Sequence, residues 1–189
     1  MSGRAAWPAE RFWDDSLELY GRPGVEEACL ELQRRHGLDV NLLLLCCWLG
    51  ARGIGLDRTT LARVGRAVQD WQVEVVRPLR AVRRRLKAKL TDPEPGSVHE
   101  GWPDLVRALR ERLISLEIDA ERLEQLALAR SVADLRRSDA AGPDLAMRHL
   151  GLYWTFGEQD RHALTALLAG AFPEADASAL DHSLEWLGK

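Results

Sequence analysis

Apolar residues recur at helical spacing along most of this chain, and one stretch is apolar on every side. Between Asp39 and Gly53, eight consecutive residues, Leu42 to Leu49, are apolar. A helix without a polar face must be covered by neighbours all round, so this stretch predicts a buried central helix. It is Leu- and Cys-rich rather than β-branched, which disfavours a strand, and it is shorter than the roughly 20 residues of a membrane span. Asp39 is well placed to cap its start.

Two short amphipathic helices are predicted before this central helix. The first runs from Pro8, which suits a first-turn position, to Tyr20, and Gly21 ends it. The second opens at Pro23, and Gly37 supplies a left-handed end. Each helix has one apolar face that needs a neighbour, which the central helix provides.

A longer helix follows, and its apolar seam continues through a proline. The seam consists of Leu61, Val64, Val68, Trp71, Val75, Leu79, Val82, Leu86 and Leu90. Proline removes one backbone hydrogen bond and collides with the carbonyl four residues back. We therefore expect a kink or a break near Arg77, just before Pro78.

The segment 91–97, TDPEPGS, predicts a loop, since it contains two prolines and a glycine. From Pro103 onward a second seam alternates steps of three and four residues, which predicts a long helix or a helical hairpin reaching to about residue 137. This seam consists of Val106, Leu109, Leu113, Leu116, Ala120, Leu123 and Ala127. Three short helices are predicted after it, at 144–153, 159–171 and 177–187.

These elements predict an all-α protein in which a compact helical bundle surrounds a buried apolar helix, with a long amphipathic C-terminal helix or helical hairpin. We expect an N-terminal helical core at 8–90, a loop at 91–102, and a C-terminal helical region at 103–189 that packs on the core. The chain of 189 residues is long enough to bury a substantial core as one domain.

Composition places the protein in a reducing compartment. Two of the three cysteines, Cys46 and Cys47, are adjacent and cannot readily bridge to each other, which disfavours a disulfide framework. The N-terminus lacks a basic region followed by an apolar run, so no export signal and no membrane anchor are expected. A cytoplasmic protein is the resulting expectation. Seven tryptophans fit a wide core or a recognition surface.

Charge is strongly segregated along the chain. Residues 77–90 contain seven basic and no acidic side chains, whereas residues 91–189 contain 18 acidic and ten basic ones. On a helical wheel, Arg77, Arg80, Arg84 and Lys87 fall opposite the apolar seam, with Arg83, Arg85 and Lys89 on its flanks. Three interpretations remain open: the acidic half of the chain covers this face, an acidic protein binds it, or a nucleic acid binds it.

Motifs for catalysis, metals or cofactors are weak. Cys29 and His36 share a helix face, but the chain has no C-x-x-C pair, so neither a metal nor a cofactor is predicted. No phosphate-binding glycine loop and no nucleophile elbow occurs. A small-ligand pocket is a further hypothesis: it would be roofed by Trp13, Tyr20 and Trp48 and would bear Asp14, Asp15 or His36.

The N-terminal half resembles an uncharacterised proteobacterial family of short proteins that is classed as a domain of unknown function. The stretches that carry the resemblance are FWDDSLELY, PGVEEACLELQ, DVNLLLLCCWL and VRPLRAVRRRLK, all between residues 10 and 90. The resemblance implies no activity. The half beyond residue 100 matches this family more loosely.

The favoured function is that of a non-enzymatic cytoplasmic adaptor or regulator that binds an acidic protein partner through the basic face. The first alternative is RNA or ribosome association through the same face. The second is an enzyme or small-ligand binder that uses the tryptophan-lined pocket. Self-association is also expected, through Val106, Leu109, Leu113, Leu116 and Leu123.

Overall fold

A computed structural model describes residues 9–137, 140–185 and 187, and it confirms the all-α class. The α-helices are α1 (Ala9–Tyr20), α2 (Val25–His36), α3 (Val40–Ala51), α4 (Arg58–Trp71), α5 (Arg77–Thr91), α6 (Val98–Gly101), α7 (Pro103–Ser131), α8 (Pro143–Tyr153), α9 (Arg161–Ala171) and α10 (Ala177–Ser183). Gln72–Val76 is π-helical and Glu158–Asp160 is a 3₁₀ turn. The β-structure of the described residues is one isolated bridge, Ile54 with Arg137.

The helices form two compact units. One, the 68–124 unit, contains the end of α4, the π-helical segment, α5, α6 and most of α7. The other, which we call the core unit, takes in the described residues up to Ala67 and from Gln125 onward. This grouping differs from the ranges 8–90 and 103–189 expected from the sequence, and the expected single-domain organisation remains a prediction.

The central helix of the core unit is α3, as the apolar run predicts. All residues from Leu42 to Leu49 are buried. Asp39 caps the helix, since its carboxylate accepts the N–H of Asn41 at 2.9 Å. Helix α3 packs most extensively against α8. Burial on every side explains why this helix needs no polar face.

A close crossing fixes how α3 meets α8. A Cβ built on Gly50 would lie 2.6 Å from the backbone N and Cα of Ala146, so only glycine lets the two helices approach this far. The carbonyl of Gly50 also accepts the N–H of Gly142 at 3.0 Å, one turn before Ala146.

A buried histidine joins α8 to α3 and to the loop that follows it. The Nδ1–H of His149 donates to the carbonyl of Cys46 at 3.2 Å, and Nε2 accepts the N–H of Leu56 at 3.1 Å. Because an N–H donates to Nε2, the ring is neutral. Burial lowers the pKa of His149, which keeps it neutral.

The short helices agree with the sequence-based boundaries in most places. Helix α1 ends at Tyr20, while Pro8 lies outside the described residues. Gly37 ends α2 with a positive φ of 70°, as predicted. The last predicted helix, 177–187, is shorter, because α10 ends at Ser183; Trp186 lies outside the described residues.

In the 68–124 unit, a π-helical segment lies directly before Arg77, near which a kink or a break was expected, and the chain stays helical past Pro78. The N–H of Arg77 bonds to the carbonyl of Gln72, five residues back, which marks the π-helical turn. Pro78 then occupies the first turn of α5, where its missing N–H is tolerated. The predicted loop contains the helical turn α6, and the predicted seam from Pro103 is one continuous helix.

Candidate functional site

The π-helical segment changes which side chains are buried just before α5. A π-turn holds one residue more than an α-turn, so the buried positions before α5 are Val68, Gln72 and Val76 rather than Trp71 and Val75. Trp71 and Val82, both assigned to the seam, are exposed. That part of the seam was predicted wrongly.

Two of the predicted partner-binding arginines point inward, towards α7. Arg80 donates from Nε to Glu117 Oε1 at 3.0 Å, and Arg83 donates from Nε to Glu117 Oε2 at 2.5 Å. Arg80 also donates from Nη2 to Glu121 at 2.5 Å. Both oxygens of Glu117 are therefore occupied, and two guanidinium groups tie α5 to α7.

Ionisation states follow from these contacts. Burial alone would raise the pKa of Glu117, but the hydrogen bonds from Arg83 and Arg80 and their charges outweigh burial and hold this pKa below its ordinary value. The hydrogen bond to Glu117 raises the pKa of Arg83. Burial opposes the charge of Arg80, yet the bonds to Glu117 and Glu121 raise its pKa as well. Arg80, Arg83 and Glu117 therefore stay charged at neutral pH.

The polar interior extends beyond this ion-pair cluster. Gln72 donates from Nε2 to both oxygens of Glu124, at 3.3 and 3.4 Å. The indole N–H of Trp71 donates to the carbonyl of Ala120 at 2.9 Å. Polar side chains thus connect α7 to α4, to the π-helical segment and to α5.

Four predicted basic residues remain on the outside of α5. Arg77, Arg84, Arg85 and Lys87 are exposed, and none of them forms an ion pair with a residue in the described ranges. We call these four residues the basic edge. Lys89, also predicted, is half-buried and pairs with Glu94 in the loop after α5.

A second candidate site is a cavity of about 160 Å³ in the core unit, between α1 and α3. Asp15 accepts hydrogen bonds from Trp48 Nε1 at 2.8 Å and from Arg52 Nη2 at 2.5 Å. The guanidinium of Arg52 lies 4.3 Å from the centroid of the Trp48 ring, a cation–π contact. The remaining lining residues are Ser16, Glu18, Leu19, Arg22, Leu44, Cys47, Ala51 and Ala171.

One polar atom of this cavity lacks a partner. The hydroxyl of Ser16 is buried and makes no hydrogen bond within the described part of the chain. Buried hydroxyls nearly always have a partner, because leaving one unsatisfied costs about 1–3 kcal/mol. The cavity therefore presents an unused donor and acceptor.

The predicted pocket residues do not all converge on this cavity. Trp48 and Asp15 line it. Trp13 and Tyr20 are partly exposed on α1, and Asp14 is exposed; none of the three is a lining residue.

His36 lies elsewhere in the core unit. Its Nε2 is 2.8 Å from Asp160, and its ring centroid is 5.4 Å from that of Trp154. The pKa of Asp160 is low, because the hydrogen bonds from Gly157 and His36, together with the charge of Arg35, outweigh its burial. The contact between His36 and Asp160 thus joins the end of α2 to the 3₁₀ turn.

Several residues in these clusters were not anticipated from the sequence. Arg52 follows Trp48 by one helical turn, a spacing that could have suggested the stacking. Glu117 gave no signal, because acidic residues at helical spacing ordinarily mark a solvated face.

The cysteines are buried as thiols. Burial raises the pKa of Cys29 and of Cys46 to about 12 and raises that of Cys47 well above its ordinary value. Within the described ranges, no three His, Cys, Asp or Glu side chains converge as metal ligands would. No helix there combines the length and the apolar character needed to cross a bilayer.

Comparison with known proteins identifies a family without a described activity. Neither the curated proteins nor the solved structures contain a match. The family profile described as "Protein of unknown function (DUF2390)" matches residues 11–128. The match spans α3, the ion-pair cluster around Glu117 and the basic edge, and it confirms the expected membership of a domain-of-unknown-function family. The chain belongs to the DUF2390 family.

Proposed function

We propose that this protein is a non-enzymatic, cytoplasmic adaptor or regulator that binds an acidic protein partner through the basic edge, Arg77, Arg84, Arg85 and Lys87. The observation that carries the proposal is the division of the basic segment. Arg80 and Arg83 are neutralised by α7, whereas the basic edge remains exposed and without an ion pair in the described ranges.

Because the whole molecule is acidic, it can attract an acidic partner only where basic side chains are concentrated. With a formal net charge of −3, the protein repels an acidic partner at long range. At physiological ionic strength, screening limits such interactions to about 8 Å, so a concentrated basic edge can still attract a carboxylate-rich segment at short range. Arg84 and Arg85 can each hold a carboxylate with two hydrogen bonds.

Composition favours a protein over RNA as the partner. The sequence pI is about 6.0, whereas nucleic-acid-binding domains are typically strongly basic. RNA or ribosome association is therefore the alternative that the experiment must separate.

A charge-reversal experiment tests the proposal. A labelled peptide of alternating Glu and Leu and a labelled poly-uridine RNA serve as probes in fluorescence anisotropy. The variant is Arg84→Glu, Arg85→Glu, Lys87→Glu. We expect peptide affinity to fall at least about tenfold, because each exposed ion pair contributes up to about 1 kcal/mol.

The matched control reverses the charge of three exposed arginines of α4 in the core unit: Arg58→Glu, Arg63→Glu, Arg66→Glu. It changes the net charge of the protein by the same amount as the basic-edge variant. Peptide affinity should change less than about twofold in this control. Equal losses in both variants would mean that net charge, not the basic edge, governs binding. Stronger binding of the RNA, lost only in the basic-edge variant, would favour RNA association and refute the protein partner.

A second candidate function, small-ligand binding, is supported by the cavity beside Trp48. Its volume of about 160 Å³ is close to that of cavities that accept benzene. Leu19 and Leu44 supply apolar contacts, and the unpartnered hydroxyl of Ser16 supplies one polar contact. The ligand class implied is a small ring compound with one hydroxyl group.

Phenol and benzene are suitable probes for this site, with binding followed by amide chemical shifts in α1 and α3. Phenol should bind more tightly than benzene, and Ser16→Ala should remove most of that difference, about fivefold for one hydrogen bond. Shifts that do not saturate, or that Ser16→Ala leaves unchanged, would exclude the site.

A further inference from the structure

Helix α7 carries a stripe of exposed leucines along its outer side. Leu105, Leu109, Leu116 and Leu123, which we call the leucine stripe, are between 49% and 67% exposed. At 100° per residue they fall within about 40° of one another. The four leucines therefore lie along one line of about 27 Å on the same face of the helix.

This line differs from the seam predicted for self-association. Val106 is buried and Leu113 is half-buried, so neither is presented on the surface as Leu109, Leu116 and Leu123 are. Leu105 takes the place of Val106. One heptad-like pattern in the sequence thus contains two faces of the helix, of which only the outer one is exposed.

The interior of the 68–124 unit explains why so much apolar surface lies outside. Its buried side chains are three valines, one alanine and three polar residues: Val68, Gln72, Val76, Val106, Glu117, Ala120 and Glu124. Of the exposed large apolar residues in the described chain, all except Leu17 and Trp154 belong to this unit. Soluble monomers rarely expose contiguous apolar surface of this kind, which marks an interaction site.

Two charged residues complete the stripe. Arg112 lies between Leu109 and Leu116, and Asp119 lies between Leu116 and Leu123. Both are exposed, and neither forms an ion pair with another described residue. The outer face of α7 therefore presents one positive and one negative charge at equivalent positions, seven residues apart.

We propose that the leucine stripe is a self-association surface, on which α7 of a second copy packs antiparallel. The two-fold axis crosses α7 at the level of residue 114, so that Leu105 of each copy faces Leu123 of the other. Arg112 then lies about 4.5 Å along the axis from Asp119 of the second copy, within reach of its long side chain. The same contact occurs twice, as a two-fold interface requires.

Charge complementarity selects a second copy as the occupant. A uniformly acidic helix would meet repulsion at Asp119, and a uniformly basic one would meet repulsion at Arg112. A second α7, running in the opposite direction, satisfies both. The small side chains of Ala108 and Ser115 flank the stripe and allow the two helices to approach closely.

The first test compares two leucines that are equally exposed. Leu116 on α7 and Leu17 on α1 are each 52% exposed, so substitution by lysine should disturb folding equally little. Sedimentation equilibrium should show a dimer for the wild type and for Leu17→Lys. For Leu116→Lys, the dissociation constant should rise at least about tenfold, since it buries a charge at the centre of the interface.

The second test uses the paired charges. Arg112→Asp leaves two acidic residues in the stripe and Asp119→Arg leaves two basic ones, so each variant should repel itself and sediment as a monomer. An equimolar mixture should form a heterodimer, because every charge then meets its opposite. Circular dichroism checks that both variants remain folded.

Three outcomes would overturn the proposal. One is a wild type that stays monomeric at about 100 µM, a concentration above the dissociation constant of most specific dimers. Another is an equal effect of Leu116→Lys and Leu17→Lys. The third is a mixture of the charge variants that remains monomeric, which would exclude the antiparallel pairing of Arg112 with Asp119. None of these outcomes bears on peptide binding at the basic edge.

Discussion

Two glycines inside helices provide a sharp test of the packing, because the same substitution should act in opposite directions. In Gly50→Ala, the new Cβ would lie 2.6 Å from the N, Cα and Cβ of Ala146. Carbon atoms in contact ordinarily lie about 3.5–4.0 Å apart. Helices α3 and α8 would therefore have to separate by roughly 1 Å, and most of the clash is with backbone atoms that cannot rotate away.

The expected change in the free energy of unfolding for Gly50→Ala combines one stabilising and two destabilising contributions. Alanine improves helix propensity by about 1 kcal/mol over glycine. Overpacking costs about 1–3 kcal/mol, and weakening the bond from Gly142 N–H to the carbonyl of Gly50 costs about 1 kcal/mol more. We expect Gly50→Ala to lower the free energy of unfolding by about 2 kcal/mol. In Gly65→Ala, no neighbouring atom lies within 4 Å of the new Cβ. The higher helix propensity of alanine alone should therefore raise the free energy of unfolding by about 0.5–1 kcal/mol.

Urea denaturation followed by circular dichroism measures both values. A neutral or stabilising Gly50→Ala would refute the close crossing. The double variant Gly50→Ala, Ala146→Gly adds a further check: it should regain little stability, because the backbone N and Cα of residue 146 remain in place. Complete rescue would show that the side chain of Ala146, not the backbone of α8, limits the approach.

Three further predictions follow from buried polar groups. Glu117→Gln should lower the free energy of unfolding by about 1–3 kcal/mol in urea denaturation, whereas Glu111→Gln, an exposed residue on the same helix, should leave it unchanged. The folded pKa of His149 lies below the unfolded value of 6.5, so the contribution of the neutral ring to the free energy of unfolding should be fully present above pH 6.5 and decrease at lower pH. His149→Gln should flatten this decrease between pH 7 and pH 5. The three cysteines should react with Ellman's reagent at pH 8 only after denaturation, and rapid reaction of the native protein would contradict their burial.

The central helix could be predicted from sequence because its composition leaves one physical solution. Eight consecutive apolar residues in an aqueous protein must be covered on all sides, whatever the rest of the fold. The cap at Asp39 and the left-handed end at Gly37 follow from local chemistry in the same way. None of these features depends on which helix packs against which.

The buried positions just before α5 could not be predicted, because they depend on one hydrogen bond. The bond from Arg77 N–H to the carbonyl of Gln72 adds a residue to one turn, so Gln72 and Val76 are buried where Trp71 and Val75 were expected. The predicted seam followed apolar residues only, whereas the buried positions include the polar Gln72. For the same reason Arg80, which pairs with Glu117, was assigned to the outside.

The cavity beside Trp48 required knowledge of the tertiary structure. Trp48 and Asp15 were both candidate residues, but Trp13, Tyr20 and His36 were grouped with them only because all are near in sequence or type. The pairing of α1 with α3 brings Asp15 to Trp48, and this pairing has no local signature.

The placement of charge and leucine in the 68–124 unit connects its two proposed surfaces. Buried ion pairs such as those of Glu117 contribute little net stability, since desolvation offsets attraction, but they specify one alignment. The inner face uses Arg80, Arg83 and Glu117 for alignment, and the leucine stripe lies on the outer face of α7. If that face is covered by a second copy, the dimer presents two basic edges. Two edges that engage one partner raise its apparent affinity without any new contact. The polar interior would thus serve binding by directing the apolar surface outward.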